Sequence, residues 1–161
     1  MAKWPRFQTF AILLPNGKAS PTMSAPHKNK TLTTLLASLL GAAGVHRFYL
    51  RGVRDTWGWL HLATLPLTAL LLAPNTASPY KLFLAAPLIV SMLAGWIEAL
   101  VLGLTPDAKW DATYNIDSGS QTASTWPLAL ILALTLAVGM SAVIFLLSRS
   151  FDLFFTGGAY G

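Results

Sequence analysis

The chain contains no cysteine, which excludes disulfides and thiolate metal sites and leaves the redox compartment unread. Charge is also scarce. Asp, Glu, Lys and Arg make up 11% of the 161 residues, where soluble domains carry about 25%. Together with 54% hydrophobic residues and a mean hydropathy of +0.56, that deficit places the chain in a membrane. Apolar–polar alternation is missing too. The apolar stretches are long and continuous, so helices are expected and strands are not. The formal net charge is +5, but the basic residues sit at the ends of apolar runs, as topology determinants do. Nucleic-acid binding is therefore disfavoured. No nucleophile stands near a base: Ser91 and Ser141 lie in apolar runs without one. No catalytic residue, enzymatic activity or cofactor is expected.

What is present is four uncharged or nearly uncharged apolar segments, at residues 31–45, 56–73, 82–104 and 126–148. The first amounts to about 22 Å of helix, short of a hydrocarbon core of about 30 Å. The second is marginal in length, and Pro66 is expected to kink it. Residues 74–79 read as a turn. The third spans comfortably and holds one charge, Glu98. Residues 105–125 form a polar connection in which Asp107, Asp111 and Asp117 read as solvated. In the fourth, Pro127 suits a first helical turn. The fold class expected is an all-α integral membrane protein, a small bundle of four transmembrane helices. The rival count is three, with the first segment re-entrant and His46-Arg47 at the interface.

Residues 1–27 read as an extension without structure of its own, or a spurious one with Met23 as the true start. Lys3 and Arg6 could open a signal peptide, but the apolar run at 10–14 is too short and Pro15-Asn16-Gly17 breaks it. The main domain is expected at 28–115, the polar connection at 116–125, an additional transmembrane helix at 126–148 and a tail at 149–161.

The first and second segments are joined by Gly41-Ala42-Ala43-Gly44-Val45-His46-Arg47-Phe48-Tyr49-Leu50-Arg51-Gly52. Small residues there let one backbone approach another. The guanidinium that follows must snorkel or find a partner. The motif residues Gly41, Gly44, His46, Arg47, Phe48 and Tyr49 resemble the signature of the two-transmembrane (TM-two) domain family: a Gly-rich helix end, Asp-Arg-Phe or His-Arg-Phe, then Tyr-Leu-Gly. The resemblance covers about residues 28–115. It implies a small integral membrane protein whose second hydrophobic part carries an acid near its end, followed by a polar tail with an aromatic. Trp96-Ile97-Glu98 and Tyr114-Asn115 fill those places. Three features depart from the family: Arg51 stands where Gly is usual, Glu98 replaces Asp, and the hydrophobic part exceeds one helix.

In an up-and-down tracing, His61 lies five residues inside the second segment and Glu98 six inside the third. Both are then about 8–9 Å below the same interface. A carboxylate in hydrocarbon costs about 2.5–3.5 kcal/mol at mid-helix on insertion scales, so Glu98 must be protonated or paired. Arg47 is the natural partner, with His46 and His61 as alternatives. The four form a candidate structural polar site that fixes helix register; a proton relay through Glu98 and His61 is the functional alternative. Their spacing matches no metal motif, so no metal is expected. Ser91, Gly95, Ala99 and Gly103 in the third segment, and Ala129, Ala133, Ala137 and Ser141 in the fourth, form small-residue stripes suited to helix packing.

The function expected is that of a scaffold or accessory subunit working through helix–helix contacts in the lipid bilayer. It would engage a membrane-protein partner or a second copy of itself. A small transporter or proton-conducting element using Glu98 and His61 is the alternative. A bacterial cytoplasmic membrane is the expected location. Lys3, Arg6, Lys18, Lys28, Lys30, Lys81 and Arg149 fall on one side of the four-span tracing, and Arg47, Arg51, Arg54 and Lys109 on the other. Seven against four puts both termini in the cytoplasm; without the extension that holds Lys3, Arg6 and Lys18 the count is four against four and gives no bias. The family resemblance points the other way, to a cytosolic elbow.

Overall fold

A computed structural model describes residues 25–160; the expectations for residues 1–24, including Met23 as the start, lie outside the described residues. The elements are α1 (Lys30–Leu40), α2 (Val45–Arg51), α3 (Thr56–Leu72), α4 (Lys81–Leu84), α5 (Ala86–Leu104), α6 (Asp107–Tyr114) and α7 (Trp126–Thr156). Among the described residues there is no strand. Three stretches of the described residues are long and apolar enough to cross a membrane: Thr56–Asn75, Ala86–Leu104 and Trp126–Thr156.

The first apolar segment is not among them and turns back at Gly44, which corrects the count of four candidate spans to three. Asn29 starts α1, its side chain accepting from the Leu32 amide at 3.0 Å. The helix then descends antiparallel to α5. Lys30 Nζ meets the Thr105 carbonyl at 2.5 Å, the Trp96 indole donates to the Ser38 carbonyl at 3.0 Å, and Ser91 Oγ donates to the Ala42 carbonyl at 2.8 Å. Eleven residues of helix cover about 16 Å, so α1 ends level with the middle of α5. There a 3-10 turn, Gly41–Ala43, leads into Gly44 in the left-handed region at φ 69°, which only glycine adopts without strain. The chain reverses and α2 climbs back. Tyr49 returns to the entry of α1, its carbonyl accepting from Lys28 Nζ at 2.9 Å and its hydroxyl from the Asn29 amide at 3.0 Å. A re-entrant helical hairpin occupies one half of the bundle.

Glycine makes that hairpin fit. A Cβ at Gly41 would lie 2.7 Å from Gly95 Cα, and one at Gly44 would lie 2.7 Å from the Gly58 carbonyl oxygen. Backbone packs on backbone at the tip, as small residues permit.

α3 opens beside the end of α2, capped by Asp55, and runs uninterrupted through Pro66 to the far side. There Thr68 Oγ1 accepts from the Leu88 amide at 3.2 Å. α4 and α5 carry the chain back to the hairpin mouth. The connection is largely exposed, as expected, but it also folds over that mouth as a lid. Trp110 is fully buried and donates to the Lys28 carbonyl at 3.0 Å. Asn115, also buried, accepts from the Lys28 amide at 2.7 Å. α7 then descends against α1 and α5 and outruns its expected end at 148, continuing to Thr156, where Gly157 at φ 69° closes it. The described chain therefore begins and ends on opposite faces of the bundle, not on the same face as the four-span tracing required.

Candidate functional site

The reversal of α2 brings His46 and Arg47 down beside the second half of α5. Glu98 lies six residues from the end of that helix, about 9 Å inside it. Its carboxylate accepts from Arg47 Nε at 2.8 and 3.1 Å, from Arg47 Nη2 and from His46 Nε2. The planar guanidinium matches the two oxygens as a fork. His46 is fully buried, so its Nε2 must carry the proton it gives the carboxylate. Its Nδ1 has no hydrogen-bond partner among the described residues.

His61 approaches the same carboxylate from α3. Its Nε2 stands 3.8 Å from Glu98 Oε1, too far for a hydrogen bond. Its Nδ1 lies 2.7 Å from Ser91 Oγ. Ser91 spends its one proton on the Ala42 carbonyl, so His61 Nδ1 must donate to the hydroxyl. In the neutral ring that leaves Nε2 as the acceptor, facing the carboxylate. A polar chain thus runs Glu98, His61, Ser91, Ala42, and ends at the glycine turn.

Two residues of this site escaped sequence reasoning. Asp55 Oδ1 caps α3, accepting from the Trp57 and Gly58 amides at 2.9 and 3.3 Å. Its buried Oδ2 lies 3.8 Å from both Arg47 Nη1 and Arg51 Nη1. The signal was available: an acid directly before Thr56-Trp57-Gly58-Trp59 is an N-cap signature. Ser91 reads from the sequence as a small packing residue and as a serine without a base nearby; the fold sets His61 Nδ1 against its hydroxyl, and nothing in the sequence marks that hydroxyl as the link between helix and turn.

The packing stripes divide. Ser91, Gly95, Ala99 and Gly103 are all buried on α5, with Gly103 under Leu132 and Thr34. Ala129, Ala133, Ala137 and Ser141 are all exposed and make no packing face within the described chain. α7 turns Leu128, Leu132 and Thr135 inward instead, with Thr135 and Ser38 hydroxyls 2.7 Å apart. The reason is that hydroxyl contact: it fixes the helix's rotation, and the alanines one residue away along the turn face outward.

The lid anchors the hairpin electrostatically. Lys30 is buried and holds Asp107 Oδ1 at 2.8 Å and Ser124 Oγ at 3.0 Å. The Lys30 and Ser124 hydrogen bonds hold the Asp107 carboxyl at about 2, below its usual range. Thr122 and Asn115 likewise lower Asp111. No group of three or more metal-binding side chains occurs among the described residues; Asp107 and Asp111 are engaged by protein groups.

These features define a class: a small helical membrane protein built on a glycine-tipped re-entrant hairpin with an Arg–Glu–His cluster beneath its lid. The family model of the TM2 domain matches residues 26–73, and that stretch is similar to a TM2 domain. This is the family that His46-Arg47-Phe48 resembles. The match stops short of Glu98 and Asn115, so the acid facing the motif arginine lies beyond it. No curated protein and no solved structure matches the chain.

Proposed function

We propose that this protein is a non-enzymatic accessory subunit that docks the outer face of α7 against a transmembrane helix of another membrane protein. One observation carries the reading: Ala129, Ala133, Ala137 and Ser141 form a small-residue stripe that the chain's own packing leaves uncovered. Such a stripe lets a second helix approach closely where no hydrophobic drive exists between helices. α7 also runs past the bundle. Below Gly139, which faces Trp96, Met140, Ile144, Phe145 and Phe151 are exposed. The proton-relay reading has less support, because the polar chain from Glu98 ends at mid-depth.

The proposed orientation puts the lid in the cytoplasm. Lys28, Lys30, Arg47, Arg51, Arg54 and Lys109 gather on the lid face, against Lys81 and Arg149 on the other, and the positive-inside rule follows that bias. A chain without cysteine makes the docking test clean. Single cysteines at Ala133 or Ala137 should form disulfide or maleimide cross-links to a partner in native membranes, and Ala133→Leu should abolish them. Cross-linking from Leu132 as efficient as from Ala133 would overturn the reading, since Leu132 faces inward. A product of twice the chain's mass would identify the partner as a second copy.

A further inference from the structure

A cavity of about 580 Å³ opens between α3 and α5, within the roughly 300–1,000 Å³ typical of small-ligand sites. Its walls are apolar, formed by Leu60, Pro87, Val90 and Ala94. Its inner end is not: Arg47, His61 and Glu98 close it. An apolar slot with a polar end is shaped for an amphiphile lying along the helices.

The polar end decides what kind. The charges that close it cancel, Arg47 against Glu98. An ionised head of either sign would arrive uncompensated in a low-dielectric site, which is costly. Hydrogen bonding is unfinished, however. Glu98 Oε1 already accepts from Arg47, but His61 Nε2, an acceptor in the neutral ring, faces it at 3.8 Å and lacks a donor. His61 is 6% exposed, so what supplies that donor must come by way of the cavity. A hydroxyl does so, and its oxygen can accept in turn from the Arg47 guanidinium.

We propose that the α3–α5 cavity binds an uncharged, hydroxyl-bearing single-chain lipid, such as a monoacylglycerol, with its hydroxyl between His61 and Glu98 and its chain along Val90. The site shares no residue with α7 and stands independently of the docking reading. The test uses the full chain in nanodiscs with a photoreactive monoacylglycerol. Saturable labelling is expected on peptides covering residues 57–64 and 86–94. Unlabelled monoacylglycerol should compete about tenfold better than the fatty acid or the alkylamine of equal length, the scale of one buried hydrogen bond. His61→Phe should weaken labelling by about as much, and Ala94→Phe should block it. Labelling that is non-saturable and spread evenly onto α7 would show boundary lipid only and overturn the proposal. So would equal competition by the ionised amphiphiles. Should Ala94→Phe fail to fold by thermal melting, Leu60→Trp carries the occlusion arm, and undiminished labelling of that variant overturns the proposal equally.

Discussion

Glu98 illustrates what a carboxylate requires once it leaves water. It is met by one guanidinium and one imidazole from α2, and a second imidazole stands nearby on α3. Removing either member of the Arg47–Glu98 pair strands the other. Both keep some exposure, 19% and 24%, so the loss should fall near or below the lower end of the ~3–5 kcal/mol seen for fully buried pairs, roughly 2–3 kcal/mol. Glu98→Gln and Arg47→Met should each lower the melting temperature in detergent, and Arg47→Met more, because Asp55 also loses its neighbour. The double variant should recover part of the loss, with a coupling of about 0.5–3 kcal/mol. Strictly additive losses would mean that the pair contributes nothing as a pair. That Glu98 needed a partner is plain from its place in an apolar run. That His46 shares it was only one of several options, because residues adjacent in a helix point about 100° apart and both reach one carboxylate only through this particular crossing.

At the scale of elements, the hairpin depends on two glycines from different helices. A Cβ on Gly95 would lie 2.6 Å from Gly41 Cα, and one on Gly41 would lie 2.7 Å from Gly95 Cα. The obstacle is backbone and cannot rotate away. Gly41→Ala and Gly95→Ala should each destabilise by about 1–3 kcal/mol, the range for overpacking, measured by thermal unfolding in one detergent. Leu70→Ala, on the exposed outer face of α3, is the control and should leave the melting temperature unchanged. Wild-type stability in both glycine variants would show that the crossing is looser than the contact implies. The buried α5 stripe was legible as a four-residue repeat of small side chains. The equivalent repeat on α7 has the same spacing but is exposed, since periodicity gives the existence of a face without saying which neighbour covers it.

For the whole molecule, the re-entrant hairpin removes a conflict. On a four-span tracing, charge favoured a cytoplasmic N-terminus while the family resemblance favoured a cytosolic elbow. With α1 turning back at Gly44, the start of α1 and the elbow share one face, and both indications agree. Single cysteines at Ala25, Val53, Asn75 and Ser120, all exposed, can be probed with a membrane-impermeant maleimide. Ala25, Val53 and Ser120 are expected to label from one side and Asn75 from the other. Opposite labelling of Ala25 and Val53 would restore four spans.

The sequence by itself determined the membrane class, the helical fold, the TM2 motif and the need of Glu98 for a partner. Each follows from local composition or from the cost of a charge in hydrocarbon, and neither depends on how the helices are arranged. Only the tertiary structure decided that the first segment turns back. A segment of 31–45 is too short to cross comfortably, yet shortness is equally compatible with snorkelling at both ends. What settles the matter is long-range. Gly41 seats on Gly95, fifty-four positions away, while Lys28 and Tyr49 meet at the hairpin mouth. The lid, too, was invisible, because Trp110 and Asn115 sit in a polar stretch and are buried only by residues some eighty positions earlier.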